Sequence, residues 1–421
     1  MCQIRSLVVM RISNLSGWVL ALVSFLTSSW TRIDVVAINI LGFVPDSSNE
    51  DYFSLSEGLN SVLSLAVAEV NANNGTYLTG ELSITFVPTN GVEIATLHET
   101  CVALDQGRGV YGAVGPLSPS DASLLGSASS SYASLPIVTY GAPTANDDVA
   151  GDSQSYLFQV QPNGYSQMKA LAQLIVEMKA ARDTLRGTVW SEENIGVVAV
   201  GEYGEGARDI LTAVLLEFSS TNSTETITIK ASSNVAEDAV HSVESADIAE
   251  AVLSMNLDDI SIIVVLAGGQ NARIVRALLH EALDQGLVSE KVQWYFGDGI
   301  SFDGLFDVNA TYRDADLAYS MRGSLGVRPC SPITGTGKEQ ADALKDLWAG
   351  LNTTEYAGGG ELLVDGRLEP MYSFAYDSVI TLAKAIGAAQ TAAGGADLLL
   401  PYSERWDSHC TNLICSWSRC S

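Results

Sequence analysis

Histidine and basic side chains are scarce in this chain of 421 residues: four histidines, and 22 lysines and arginines against 49 acidic residues, for a formal net charge of −27. Such a surface repels a phosphate backbone and no basic patch offsets it, which excludes nucleic acid as a partner. The acidity reads as the solubility device of a secreted protein, or as a preference for cationic ligands; by itself it names no partner. No apolar run reaches the roughly 20 residues that a membrane-spanning helix needs. With 47% hydrophobic and only 17% charged residues, the chain is also no disordered polymer.

Catalytic motifs are missing as well. There is no Walker loop, no H-E-x-x-H and no G-x-S-x-G elbow, and His98 and His280 lie in helical stretches without a partner four residues on. The literal G-x-G-x-x-G at residues 107–112 follows a helix and runs into a strand, the reverse of what a dinucleotide needs. No cofactor and no metal are expected, and an α/β hydrolase lacks its base. Cysteines are few: Cys2 leaves with a leader, and Cys101, Cys330, Cys410, Cys415 and Cys420 make an odd set. The last three lack tight metal-ligand spacing and a histidine pair, and so read as disulfide candidates at best.

What is present begins with a leader. Arg5 and Arg11 precede an apolar stretch at 15–26 and the small residues Thr27 to Ser29, the grammar of a signal peptide over residues 1–29. A buried first helix or an uncleaved anchor is the alternative. Asn74, Asn222, Asn309 and Asn352 each open a glycosylation triplet, in keeping with a secretory route to the cell exterior.

From residue 33 onward short apolar runs alternate with amphipathic stretches, the pattern of βαβ units. Runs at 35–44, 82–87, 110–114 and 135–140 read as parallel strands buried on both faces, with helices over 55–71, 94–106 and 120–132 between them. The turn-rich Gln161-Pro162-Asn163-Gly164 marks a first crossing. Beyond it come strands at 195–200, 226–229, 260–266 and 292–296 and helices at 167–185, 207–218, 246–255 and 271–286. A strand-like 325–327 leads into helices at 340–351 and 371–389. Two doubly wound parallel-sheet lobes flanking a ligand cleft follow: lobe 1 from 34–161 and again 323–396, lobe 2 from 162–322, and an atypical tail over 397–421.

In such folds ligands sit beyond the carboxyl ends of the strands. Four loops there carry unusual residues. Gly115-Pro-Leu-Ser-Pro-Ser120 opens a helix, so Ser118 and Ser120 make either an anion site at its positive end or a plain serine cap. Thr144, in the loop after the next strand, brings another hydroxyl or serves the turn. Gly201-Glu-Tyr-Gly-Glu-Gly206 presents Tyr203, an aromatic able to stack on a cation. Asp298, between two glycines, accepts from an ammonium or forms a turn.

The order of these loops resembles the type I periplasmic-binding-protein fold in its receptor form, the Venus-flytrap ectodomain of metabotropic glutamate and GABA-B-like class C receptors. The matching stretches are Ile38-Asn-Ile-Leu-Gly-Phe-Val-Pro45, the Gly115-Pro loop, Tyr203-Gly204-Glu205, Gly297-Asp298-Gly299, Gly323-Ser-Leu-Gly-Val-Arg-Pro329 and Tyr372-Ser-Phe-Ala-Tyr-Asp377. The resemblance implies that Ser118 and Ser120, with Ala142 or Thr144, hold an amino-acid-like carboxylate. It implies that Tyr203 and Asp298 meet the ammonium, while Ala267 and Gly268 line the cleft with backbone groups. It also implies a receptor's extracellular region rather than an enzyme, dimerising with itself or a relative through lobe 1, and membrane-bound only through a receptor region outside this chain. Pro119 and Tyr140-Gly141 depart from the amino-acid-receptor pattern, and the tail departs from the family's closing strand pair, as a fragment, an altered end or a soluble relative would. A solute-binding protein feeding a transporter, or an interaction domain like the amino-terminal domains of ionotropic receptors, shares the fold.

Overall fold

The computed structural model describes residues 37–46, 53–89, 93–106, 110–129, 135–141, 156–186, 192–221, 226–235, 245–256, 260–268, 272–289, 291–297, 315–327, 335–360, 362 and 368–393. The expected leader at 1–29, Ala142, Thr144, Asn222, Asp298, Asn309 and the tail at 397–421 lie outside the described residues.

Strands β1 (Ala37–Pro45), β2 (Glu81–Thr89), β3 (Val110–Val114), β4 (Ile137–Thr139) and β5 (Leu157–Gln159) form one sheet. Its order is β2-β1-β3-β4-β5, and every pairing is parallel. A second parallel sheet holds β6 (Glu192–Val200), β7 (Thr226–Val235), β8 (Ile262–Ala267), β9 (Gln293–Phe296) and β10 (Leu325–Gly326). Read from β7, its order β7-β6-β8-β9-β10 repeats that of the first sheet. Each sheet therefore reverses direction beside its first strand, between β1 and β3 and between β6 and β8. Clefts open at such switch points.

Apolar continuity explains the central strands. All five residues of β3 and all six of β8 are buried, because a parallel strand is covered on both faces and has no solvent side for polar residues. On one face of the first sheet, α1 (Phe53–Ala72) buries the stripe Leu59, Leu63, Ala66 and Val70. It packs along α10 (Pro370–Ala393), which supplies Met371, Ala375, Val379 and Leu382 to the same core. Trp348 of α9 (Gly335–Ala349) is fully buried there. The opposite face is covered by α2 (Glu93–Gln106) and α3 (Pro119–Ala128), with Cys101, Leu104, Ala122 and Leu125 in a separate core. The second sheet lies between α4 (Gly164–Arg186) and α5 (Gly201–Thr221) on one side and α6 (Ser245–Met255) and α7 (Ala272–Asp284) on the other. A short α8 (Ala315–Ser320) adds Leu317 to the latter core.

Three sequence expectations need correction. The strand near 325–327 does not lead back with lobe 1: Leu325 and Gly326 pair with Tyr295 and Phe296 as the edge of the second sheet. Residues 201–206 are not a loop, since α5 starts at Gly201 and takes them into its first turns. The three-residue β5 is an additional strand, too short to produce an apolar run.

Candidate functional site

The loop after β3 begins with Gly115, whose φ of +91° lies in the left-handed region, and with a cis Gly115-Pro116 bond. Glycine is required here twice over. A Cβ would stand 2.5 Å from the Phe43 carbonyl oxygen and 3.1 Å from Cε1 of Tyr140, and the backbone angle itself disfavours a side chain. The Gly115 N–H donates to the Val138 carbonyl at 3.0 Å. Tyr140, fully buried just past β4, donates its hydroxyl to the Phe43 carbonyl at 2.5 Å. Burial pushes that phenol well above its ordinary pKa, so it stays a donor at any physiological pH. These contacts tie the ends of β1, β3 and β4 into one floor.

On this floor Ser118 caps α3. Its φ of −76° and ψ of 131° are extended, its Oγ accepts from the Asp121 N–H at 3.4 Å, and its carbonyl accepts from the Ala122 N–H at 3.0 Å. The serine is 5% exposed. Thus the capping role is real, and the hydroxyl stands at the positive start of the helix, where Pro119 at the first helical position has no N–H to leave unsatisfied. Asp121 adds a fully buried carboxylate in the first turn, which opposes the positive helix end. Of Ser120 only the helical backbone is described. Gly141, beyond Tyr140, lies against Leu117 and Met371, so the loops after β3 and β4 touch.

In the second lobe the start of α5 sits directly on the sheet. A Cβ on Gly204 would lie 2.4 Å from the Leu266 carbonyl oxygen, an approach only glycine permits. Tyr203 is 4% exposed and packs with Met168, Leu171, Ala207, Leu211 and Tyr295 in the core under α5. Ala267 and Gly268 are buried at the carboxyl end of β8. The Gly297 N–H, just before Asp298, donates to the Val265 carbonyl at 3.1 Å. Helices α3 and α5 contact each other, bringing the Ser118 and Tyr203 elements of the two lobes together.

Sequence reasoning passed over Asp121, and noted Tyr140 and Gln161 only as a pattern departure and a turn residue. Each is a polar residue on an otherwise apolar strand end or first helical turn, and that interruption was the available signal.

Two similarly wound parallel sheets, each with helices on both faces, define a two-lobed α/β protein with the type I periplasmic-binding-protein fold. A family described as the receptor family ligand binding region has a model that matches residues 59–413, and the chain belongs to that family. It is a family of ligand-binding regions and not of enzymes. No curated protein matches the chain. No helix among the described residues is long and apolar enough to cross a membrane.

Proposed function

We propose that this chain is the extracellular ligand-binding region of a class C-like receptor, which clamps a small amino-acid-like ligand between its lobes to drive signalling. The contact between α3 and α5, with Ser118 at the start of the first helix, carries the reading. A ligand held on lobe 1 by the Ser118 and Ser120 loop, with Ala142 or Thr144, meets the second lobe at Ala267, Gly268, Asp298 and the start of α5. Tyr203, buried in the core, supports that helix from beneath rather than stacking on the ligand. Contacts shared by both lobes exist only in the closed state, and that difference is what shifts the population toward closure.

The lobe limits follow the sequence reading, 34–161 with the returning helices and 162–322, with 325–326 moved to lobe 2. Asn74 and Asn352, both exposed in turns, are the sites where a secreted form carries glycans. The test is a thermal-shift screen of the purified chain against L-amino acids and amines, since a ligand that binds the native state raises its melting temperature. At least one member is expected to stabilise the wild type. Ser118→Ala, which removes a hydroxyl on the ligand side, is expected to weaken that member about tenfold. Stabilisation by none, or full retention in Ser118→Ala, refutes the clamp as stated.

A further inference from the structure

Hydrogen-bonding capacity is left over at the first crossing. Thr139 ends β4 and Gln159 ends β5, and the two are register partners. Two residues earlier on the same strands, Ile137 and Leu157 both enter the core beneath α2 and α3. By the two-residue period of a strand, Thr139 and Gln159 extend that face past the apolar core to the carboxyl edge. The Val160 N–H donates to the Thr139 carbonyl at 3.2 Å, which carries the ladder on to Gln161. Thr139 is 1% exposed and Gln161 5%. Yet Thr139 Oγ1, Gln159 Nε2 and both amide atoms of Gln161 are buried without a hydrogen-bond partner. Gln167, in the first turn of α4, donates Nε2 to the Pro162 carbonyl at 3.0 Å and leaves its own Oε1 buried and unpaired.

Buried polar side-chain atoms nearly always find partners, so several unpaired along one strand edge mark a place that a further molecule completes. We propose that Gln161, with Thr139 and Gln159, forms a subsite for a neutral group of the ligand that both donates and accepts hydrogen bonds, a carboxamide or a hydroxyl. This rests on the clamp reading for the identity of the cleft. The set offers unpaired donors and unpaired acceptors but no side-chain charge. A carboxylate would face the acceptor oxygens of Gln161 and Gln167, and the buried Asp121 of α3 lies on the same side of the sheet. The subsite is one strand removed from the Ser118 loop, which places it at the far end of a ligand anchored there.

Propanamide and propionate test the subsite without knowledge of the natural ligand. In an isotope-labelled chain, the side-chain amide signals of Gln161 are assigned by their disappearance in Gln161→Met. They are expected to shift on titration with propanamide and to stay in place with propionate. Equal shifts with both, or none with either, overturn the subsite. Gln161→Met is also expected to raise the melting temperature of the ligand-free chain, by about 2–4 °C, since it removes two unpaired buried atoms. A fall would identify the amide as a structural partner and overturn the proposal equally. Neither readout depends on whether amino acids bind at Ser118, so failure of the clamp and failure of the subsite are separable.

Discussion

Replacing Tyr140 by phenylalanine removes one oxygen from the floor of the Ser118 loop and leaves the ring packed as before. The lost hydroxyl is the donor to the Phe43 carbonyl, a bond between residues 97 positions apart in the chain. A buried acceptor left without this donor costs about 1–3 kcal/mol. At roughly 2–4 °C per kcal/mol for a domain of this size, a loss near the middle of that range lowers the melting temperature by about 4–8 °C. Differential scanning calorimetry of the two proteins reads the change directly. The pH dependence has a defined sign. Burial raises the folded-state pKa above the ordinary 10.0, so the wild type's advantage is fully present below that value. It shrinks above about pH 10, where the unfolded chain ionises. A melting temperature within about 1 °C of wild type at neutral pH would refute the claim that this bond holds the strand ends together.

Gly115→Ala is expected to be worse than Tyr140→Phe, because it meets backbone at 2.5 Å and a left-handed φ at once; equal melting temperatures for the two variants would count against that ranking. Tyr376→Phe removes one of two phenols that donate to Glu69, the other being Tyr77 at 3.3 Å, where α10 crosses α1. The partly buried carboxylate keeps one donor, so urea denaturation should show a loss of about 1–2 kcal/mol, and none would show the contact to be idle. Asp377 is held above the ordinary carboxyl range by burial, with Lys384 opposing. The fold thus favours its protonated form, and that contribution is present below the unfolded value and lost as pH rises through the folded one. Asp377→Asn should therefore melt higher than wild type at about pH 7 and converge with it toward about pH 4; a lower melting point at neutral pH would reverse the sign.

The fold was legible where burial is two-sided. Residues 262–267, Ile-Ile-Val-Val-Leu-Ala, have no polar interruption and read as a central strand. The edge strand at 157–159 did not, because three residues with one exposed phenylalanine carry no period. The start of α5 was hidden by its glycines, which disfavour helix in isolation. Tertiary contact overrides that preference here, since Gly204 must lie on the Leu266 carbonyl. A helical stripe was nonetheless available: Tyr203, Ala207, Leu211 and Val214 fall on one face and are all buried. Read at that phase, Tyr203 belongs to the core. At the site, the Ser118 loop was legible from its position after a strand. The unpaired amides around Gln161 were not, because whether a glutamine finds a partner depends on what the fold sets beside it.

The seat of Gly204 on Leu266 also has a mechanical meaning. With no side chain between helix and strand, there is no compliant layer to absorb a push at the start of α5. Force applied there passes directly into β8 and the sheet built on it. In the clamp proposed above, a few ligand contacts on that first turn would be enough to press on the whole sheet, and a substitution that pads the joint would blunt that coupling before it weakened binding.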